Sequence, residues 1–201
     1  MPKIYLSLGS NIKPEENLNK AKELLSQVYQ LEKESKTYKS KSEGFVGEDF
    51  LNQVVCFITE DSAEEVVGML KDIEKKIGRK DRSEKFSDRE IDIDLLLYGK
   101  YVGKALGKDI PHKDIDLYRF VLEPLAEIAP DLIHPKHQVK ISEIWKNKLP
   151  ISEDFNKSTT KVLFNEYNHA IVLHGLGLFD TNSINEQFQN LHKLLVKWAV
   201  L

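Results

Sequence analysis

Apolar positions along the first hundred residues keep either of two rhythms, and the switches between them mark the elements. Residues 3–9 (Lys-Ile-Tyr-Leu-Ser-Leu-Gly) are rich in apolar and aromatic side chains and end on Gly9-Ser10-Asn11, a turn signal, which predicts a first strand. From Glu15 to Gln30, Leu18, Ala21, Leu24, Leu25 and Val28 return at helical spacing and predict a first helix. Residues 31–41 are polar and strand-like around Tyr38, and 42–49, with Gly44 and Gly47, read as a loop. Residues 50–60 are β-branched and aromatic, the composition of a strand. Ser62 then stands three residues before Glu65, a capping-box pattern, and Val66, Val67, Leu70, Ile73 and Ile77 share one helical face up to Gly78. A charged loop over 79–89 leads into a strand over 90–98 that Gly99 ends.

Strand, helix, strand, strand, helix, strand is the order of an α+β, ferredoxin-like antiparallel sheet backed by helices. The stretch Ile110 to Pro130 adds a short helix with Leu122, Leu125 and Ile128 facing inward. Pro150 is the expected boundary, giving a main domain over 1–150 and a C-terminal extension over 151–201. In the extension, 162–179 read as one or two strands, and Ile184, Phe188, Leu191, Leu195 and Trp198 stand at helical spacing. A segment of 51 residues is marginal on its own, so it is expected to pack on the main body or to support self-association.

Composition narrows the setting. The net charge of −3 over 201 residues excludes a general polyanion binder, so no nucleic-acid partner is expected and any phosphate recognition is local. No apolar run approaches membrane-spanning length, and the start lacks a signal-peptide core. The single cysteine, Cys56, has no partner within the chain, which fits a reducing compartment. The expectation is a cytoplasmic protein without membrane contact.

The strongest local chemistry is Arg89-Glu90-Ile91-Asp92-Ile93-Asp94-Leu95-Leu96-Leu97. On a strand, Ile91, Ile93, Leu95 and Leu97 would face the core and Asp92 and Asp94 the other side, with Cα atoms about 6.6 Å apart. Two carboxylates so placed suit one or two hard cations. The other open reading is an outer strand face that is merely charged. Upstream, the segment from Lys71 to Arg89 holds eight basic and five acidic residues, within an acidic chain. A basic loop feeding a metal-type strand is what phosphoryl transfer requires, since catalysis there is mostly positioning and charge neutralisation. No G-x-x-x-x-G-K-[ST] is present, so a P-loop is excluded.

With these residues in view, the chain resembles the hydroxymethyldihydropterin pyrophosphokinases. The resemblance runs in order through Leu6-Ser7-Leu8-Gly9-Ser10-Asn11, Phe50-Leu51-Asn52, Ile73-Glu74 leading to Gly78-Arg79, the strand Arg89 to Leu97, Pro111-His112, and Phe120 to Pro130. It covers about residues 3–145 and nothing beyond Pro150. It implies a magnesium-dependent transfer of pyrophosphate from ATP to the hydroxymethyl group of the dihydropterin, releasing AMP. Asp92 and Asp94 would hold two magnesium ions, and Arg79 and Arg89 would stabilise the transferred group. Glu74, Lys85, Leu95 and His112 would line the nucleotide. Phe50 and Phe120 would sandwich the pterin, and Asn52 would bond its edge.

Three positions depart from the family pattern. Ser87-Asp88 replaces a common Gly-Pro, Phe86 stands where tryptophan is frequent, and Tyr118 holds an arginine position, with Arg119 one place later. Two accounts stay open: a shift in backbone register that lets Arg119 reach the ATP phosphates, which is the favoured one, or Tyr118 at the site with Arg119 turned to solvent. Two rivals are a nucleotidyltransferase, which would release pyrophosphate instead of AMP, and a non-catalytic binding module, for which paired metal carboxylates would have no use.

Overall fold

Strand β1 (Lys3–Ser10) runs through the middle of an antiparallel sheet. The computed structural model describes residues 1–42, 47–79 and 88–147, and the backbone of 162–164 and 170–172. Helix α1 (Pro14–Ser26) follows β1 and leads to β2 (Gln30–Glu34) and the short β3 (Tyr38–Ser40). Strand β4 (Phe50–Ile58), helix α2 (Ala63–Ile77) and strand β5 (Asp92–Tyr98) complete the core. The sheet order is β2-β4-β1-β5, with β3 also on β4. Counting β2 and β3 as one interrupted strand, this is the ferredoxin-like arrangement expected from the element order. The interruption is physical, because β2 is exposed along its whole length. Such an edge strand is kept short and charged, here by Glu32, Lys33 and Glu34.

Helix α1 ends earlier than the apolar spacing suggests. Its last carbonyl contacts are made by Gln27, Val28 and Tyr29, and the chain is already extended at Gln30. Val28 is exposed, whereas Tyr29 tucks against Phe57. At α2 the sequence signals hold. The Ser62 side chain accepts from the Glu65 N–H, the Glu65 carboxylate accepts from the Ser62 N–H, and Gly78 closes the helix at φ 110°.

The sheet is covered on both faces. Ile4, Leu6, Leu8, Val55, Phe57, Ile91, Ile93 and Leu95 pack against Leu18, Ala21 and Leu25 of α1 and Val66, Leu70 and Ile73 of α2. Tyr5, Val54, Cys56, Leu96 and Leu97 pack on the opposite face. There they meet α3 (Asp114–Leu117), α4 (Arg119–Ile128) and α5 (Ile141–Asn147). Leu122, Leu125 and Ile128 of α4 do face inward. The expected alternation in β5 breaks after Leu95. Leu6 pairs Leu95 but Tyr5 pairs Leu97, so Leu96 is an extra residue in a bulge. Leu97 therefore belongs to the second core, beside Tyr5, and not to the α1–α2 side. Asp92 and Asp94 share the second face too, opposite Gly9 and Ser7, beyond the end of the apolar cover.

Between β5 and α3 lies a hairpin that the apolar pattern did not announce, β6 (Gly103–Ala105) and β7 (Lys108–Ile110). Its two-residue turn, Leu106-Gly107, has φ 45° and 82°, a type with positive φ at both positions. Leucine is a poor residue for that geometry, which hid the signal.

A second turn, over Ile133 to Lys140, holds a buried histidine. His134 is 1% exposed, stacks on His137 with ring centroids 4.3 Å apart, and accepts the His137 N–H on Nδ1 at 3.2 Å. The ring proton is thus on Nε2, which is buried with no hydrogen-bond partner among the described residues. Burial, helped by His137, pushes its pKa down to about 4. A depressed histidine contributes stability above its unfolded pKa near 6.5, and this is lost as pH falls through about 4. Wild-type protein should lose roughly 2 kcal/mol more between pH 7 and pH 4.5 than His134→Phe, measured by urea unfolding. Parallel losses in the two proteins would show that His134 is not the group titrating.

By contacts the chain divides into two compact units, Met1–Leu149 and Pro150–Leu201. In the second, β8 (Val162–Phe164) and β9 (Ala170–Val172) pair antiparallel, with Leu163 opposite Ile171. The helical pattern over 184–201, and with it the expected self-association surface, lies outside the described residues. Among the described residues no helix is long and apolar enough to cross a membrane.

Candidate active site

The N-terminal end of β5 is anchored by the turn after β1. Ser10 Oγ donates to the Glu90 carbonyl at 2.6 Å, and the N–H groups of Asn11 and Ile12 both donate to the Arg89 carbonyl. The Asn11 side chain accepts from the Arg89 N–H at 2.7 Å and donates to Asp88 Oδ1 at 2.6 Å. Gly9-Ser10-Asn11 is thus more than a turn, since it fixes where the carboxylate strand begins. Asp88, one of the departures from the family pattern, is tied to Asn11. Gly9 has its own reason: a Cβ there would lie 3.3 Å from Asn52 Oδ1 and push that side chain out of place.

Two cavities meet over this strand. One, of about 270 Å³, lies between α2, β5 and the hairpin, with Leu70, Glu74, Ile93 and Leu95 in its wall. The other, of about 420 Å³, is walled by Phe50, Asn52, Tyr118 and Phe120 together with Arg89, Asp92 and Asp114. Among the described residues, four side chains line both: Arg79, Asp94, Lys108 and His112.

The polar geometry divides the two aspartates between two sets of cations. Asp92 accepts from Arg79 Nη1 at 2.6 Å and from Arg89 Nη1. Arg79 Nη1 also pairs with Glu74 Oε1, which accepts the Ile93 N–H at 2.7 Å. Burial pushes the Glu74 carboxyl up to about 7, against the pull of Arg79 and the Ile93 N–H. Asp94 accepts from Lys108 Nζ at 3.1 Å and faces His112 Nε2 at 3.8 Å. Burial acts to raise its pKa, but Lys108 and His112 outweigh this and hold it below the ordinary range. On the far side of His112, Asp114 Oδ2 lies 3.6 Å from Nδ1. Burial raises the Asp114 pKa against the pull of His112. Ligand atoms of Asp94, His112 and Asp114 all lie within 4.8 Å of one another. Half-buried carboxylate oxygens already surrounded by cationic partners are a donor set suited to a hard divalent ion.

Residues 5–130 match the family model of 7,8-dihydro-6-hydroxymethylpterin-pyrophosphokinase. The chain is 38% identical over 145 residues to the 2-amino-4-hydroxy-6-hydroxymethyldihydropteridine pyrophosphokinase of Aquifex aeolicus, covering 71% of this chain and 90% of that one. It is also 36% identical over 152 residues to the enzyme of the same name from Synechocystis, covering 70% and 77%. The chain belongs to this family. It is a pyrophosphokinase of folate biosynthesis. A solved structure, the Plasmodium falciparum HPPK-DHPS wild type with pteroate, shares the fold at a TM-score of 0.60 and 12% identity. That match covers 94% of this chain and about half, 53%, of the larger one.

In this pyrophosphokinase most residues expected from sequence come together. Phe50, Asn52 and Phe120 line one cavity, Glu74 and Leu95 the other, and Arg79, Asp94 and His112 both. Asn52 is buried and donates to Ser40 Oγ at 2.9 Å, which fixes its amide at the cavity wall. Lys85 lies outside the described residues. Arg119 lines neither cavity. It begins α4, donates to Glu123 Oε2 at 2.9 Å and lies 5.1 Å from the Trp145 ring centroid. Tyr118 lines the aromatic cavity instead, stacked on Phe120 with centroids 5.0 Å apart. The sequence reading missed Lys108, Asp114 and the role of Asn11. Asp114 opens α3, a helix of four residues, too short for an apolar period to mark it.

Proposed function

We propose that the pyrophosphokinase works with ATP on the α2 side of β5, dihydropterin in the aromatic cavity, and transfer at the seam between them. The observation that carries this reading is the set of side chains common to both cavities, three of which, Arg79, Asp94 and His112, are site residues expected from sequence. Asp92 and Asp94 would hold two magnesium ions, which neutralise triphosphate oxygens when bound. Glu74 and Leu95 would line the nucleotide, with His112 beside the phosphates. Phe50 and Phe120 would stack on the flat heteroaromatic ring and Asn52 would bond its edge.

In the reaction the hydroxymethyl oxygen attacks the β-phosphorus of ATP. The bond from that phosphorus to the oxygen bridging to the α-phosphate breaks, and AMP leaves with that oxygen. The hydroxyl proton passes to solvent. Arg79 and Arg89 would be drawn from Asp92 onto the transferred group, where charge develops. Arg119 is left out of this reading because it lines neither cavity.

Incubation with ATP, magnesium and hydroxymethyldihydropterin should yield AMP and pterin pyrophosphate in equal amounts. Formation of ADP or of free pyrophosphate in place of AMP would overturn the assignment.

A further inference from the structure

Of the four side chains at the seam, Lys108 is the one that no motif announces. It opens β7 immediately after the Leu106-Gly107 turn, and its Nζ lies 3.1 Å from Asp94 Oδ1. We propose that Lys108 is a phosphate-binding residue of the transfer site: it pairs with Asp94 and turns onto the triphosphate when magnesium takes its place on that carboxylate. The proposal rests on the reading of Asp94 as a magnesium ligand given above.

Three observations support it. First, among the described residues Arg79 and Arg89 both sit on Asp92, and the charge of Asp94 is met by Lys108 and His112. A triphosphate spanning the seam needs cations on both sides, and a lysine serves phosphate as a mobile point charge. Second, the bridge to Asp94 is not what keeps the hairpin together. Backbone pairing of Ala105 with Lys108 and of Gly103 with Ile110 does that, and Lys104 and Asp109 pair across it at 3.7 Å. Third, the lysine can move. Its side chain is 49% exposed and carries four methylenes, and ion pairs with such an exposed partner are weak. A divalent cation with stronger attraction for the carboxylate displaces the ammonium, which then lies beside the phosphates the cation brings.

The two halves of the proposal pull Lys108→Ala in opposite directions. Without nucleotide, removing the competing ammonium should tighten Mn²⁺ binding, read by electron paramagnetic resonance, severalfold. With magnesium present, binding of the non-transferable α,β-methylene analogue of ATP, read by calorimetry, should weaken about tenfold. Lys108→Arg should restore nucleotide affinity to within a few-fold of wild type, and circular dichroism should show both variants folded. Unchanged nucleotide binding in Lys108→Ala overturns the proposal whatever Mn²⁺ does. So does Mn²⁺ binding that is unchanged or weaker in Lys108→Ala while Asp94→Asn abolishes it. If Asp94→Asn leaves Mn²⁺ binding intact while Lys108→Ala still weakens the nucleotide, the metal reading of Asp94 falls and the phosphate role of Lys108 stands.

Discussion

Asp94→Asn should leave a folded protein whose kcat/KM is lower by about a thousandfold. The carboxylate stands on a strand whose other face supplies the core, at Ile93 and Leu95, and its own contacts are to Lys108 and His112 at the seam. Loss of one metal-type ligand removes charge stabilisation worth several kcal/mol in the transition state, which is on the order of a thousandfold in rate. The fold should tolerate the change because the amide keeps the size of the side chain and Lys108, the cation it leaves, is 49% exposed. Asp92→Asn should be similarly inactive. Thermal melting by circular dichroism and AMP formation should be measured on the same preparations. A melting point that falls steeply along with activity would show the carboxylates to be structural, and retained turnover would remove them from the chemistry.

Arg79→Ala is expected to act on stability as much as on turnover. Glu74 is 7% exposed, and Arg79 is the cation that meets its carboxylate. Removing one partner of a largely buried pair strands the other, at a cost of about 2–3 kcal/mol for a pair that keeps some solvent contact. The loss should depend on pH. Burial already raises Glu74 to about 7, and without the guanidinium its folded pKa rises further. A carboxyl with a raised folded pKa favours the native state when protonated and opposes it as pH climbs through that value. The variant should therefore fall further below wild type at pH 8 than at pH 5, in urea unfolding. Arg79→Ala combined with Glu74→Gln should recover much of the stability but none of the activity. If the double variant were no more stable than the single one, an unpaired Glu74 would not be the source of the loss.

The two predictions rest on features that were unequally legible in the sequence. The alternation through Asp92, Ile93, Asp94 and Leu95 was enough to place two carboxylates on one strand face, because side-chain direction in a strand is set by local geometry alone. Capping at Ser62 and Gly78 was legible for the same reason, since both ends of α2 are decided by neighbours within a few residues. The order of elements fixed the ferredoxin-like sheet, because crossover connections leave few ways to arrange two strand-helix-strand units.

What surrounds Asp94 was decided by tertiary structure. Its neighbours Lys108, His112 and Asp114 come from the hairpin, the turn after it and the first residue of α3, and only the folding back of that stretch along β5 brings them to it. The His112 N–H on the Leu96 carbonyl at 2.9 Å fixes that approach. The bulge at Leu96 is likewise invisible in an unbroken Leu95-Leu96-Leu97, because a bulge is a property of two strands and β1 sets the register. Arg119 and Tyr118 make the sharpest case. A one-residue shift was expected to be absorbed by flexible backbone, but α4 starts at Arg119, and successive residues of a helix point about 100° apart. Which residue is first in that helix determines whether a guanidinium or a phenol meets the cavity, and that is settled by how α4 packs against the sheet, where Val121, Leu122 and Leu125 must face Val54 and Leu96.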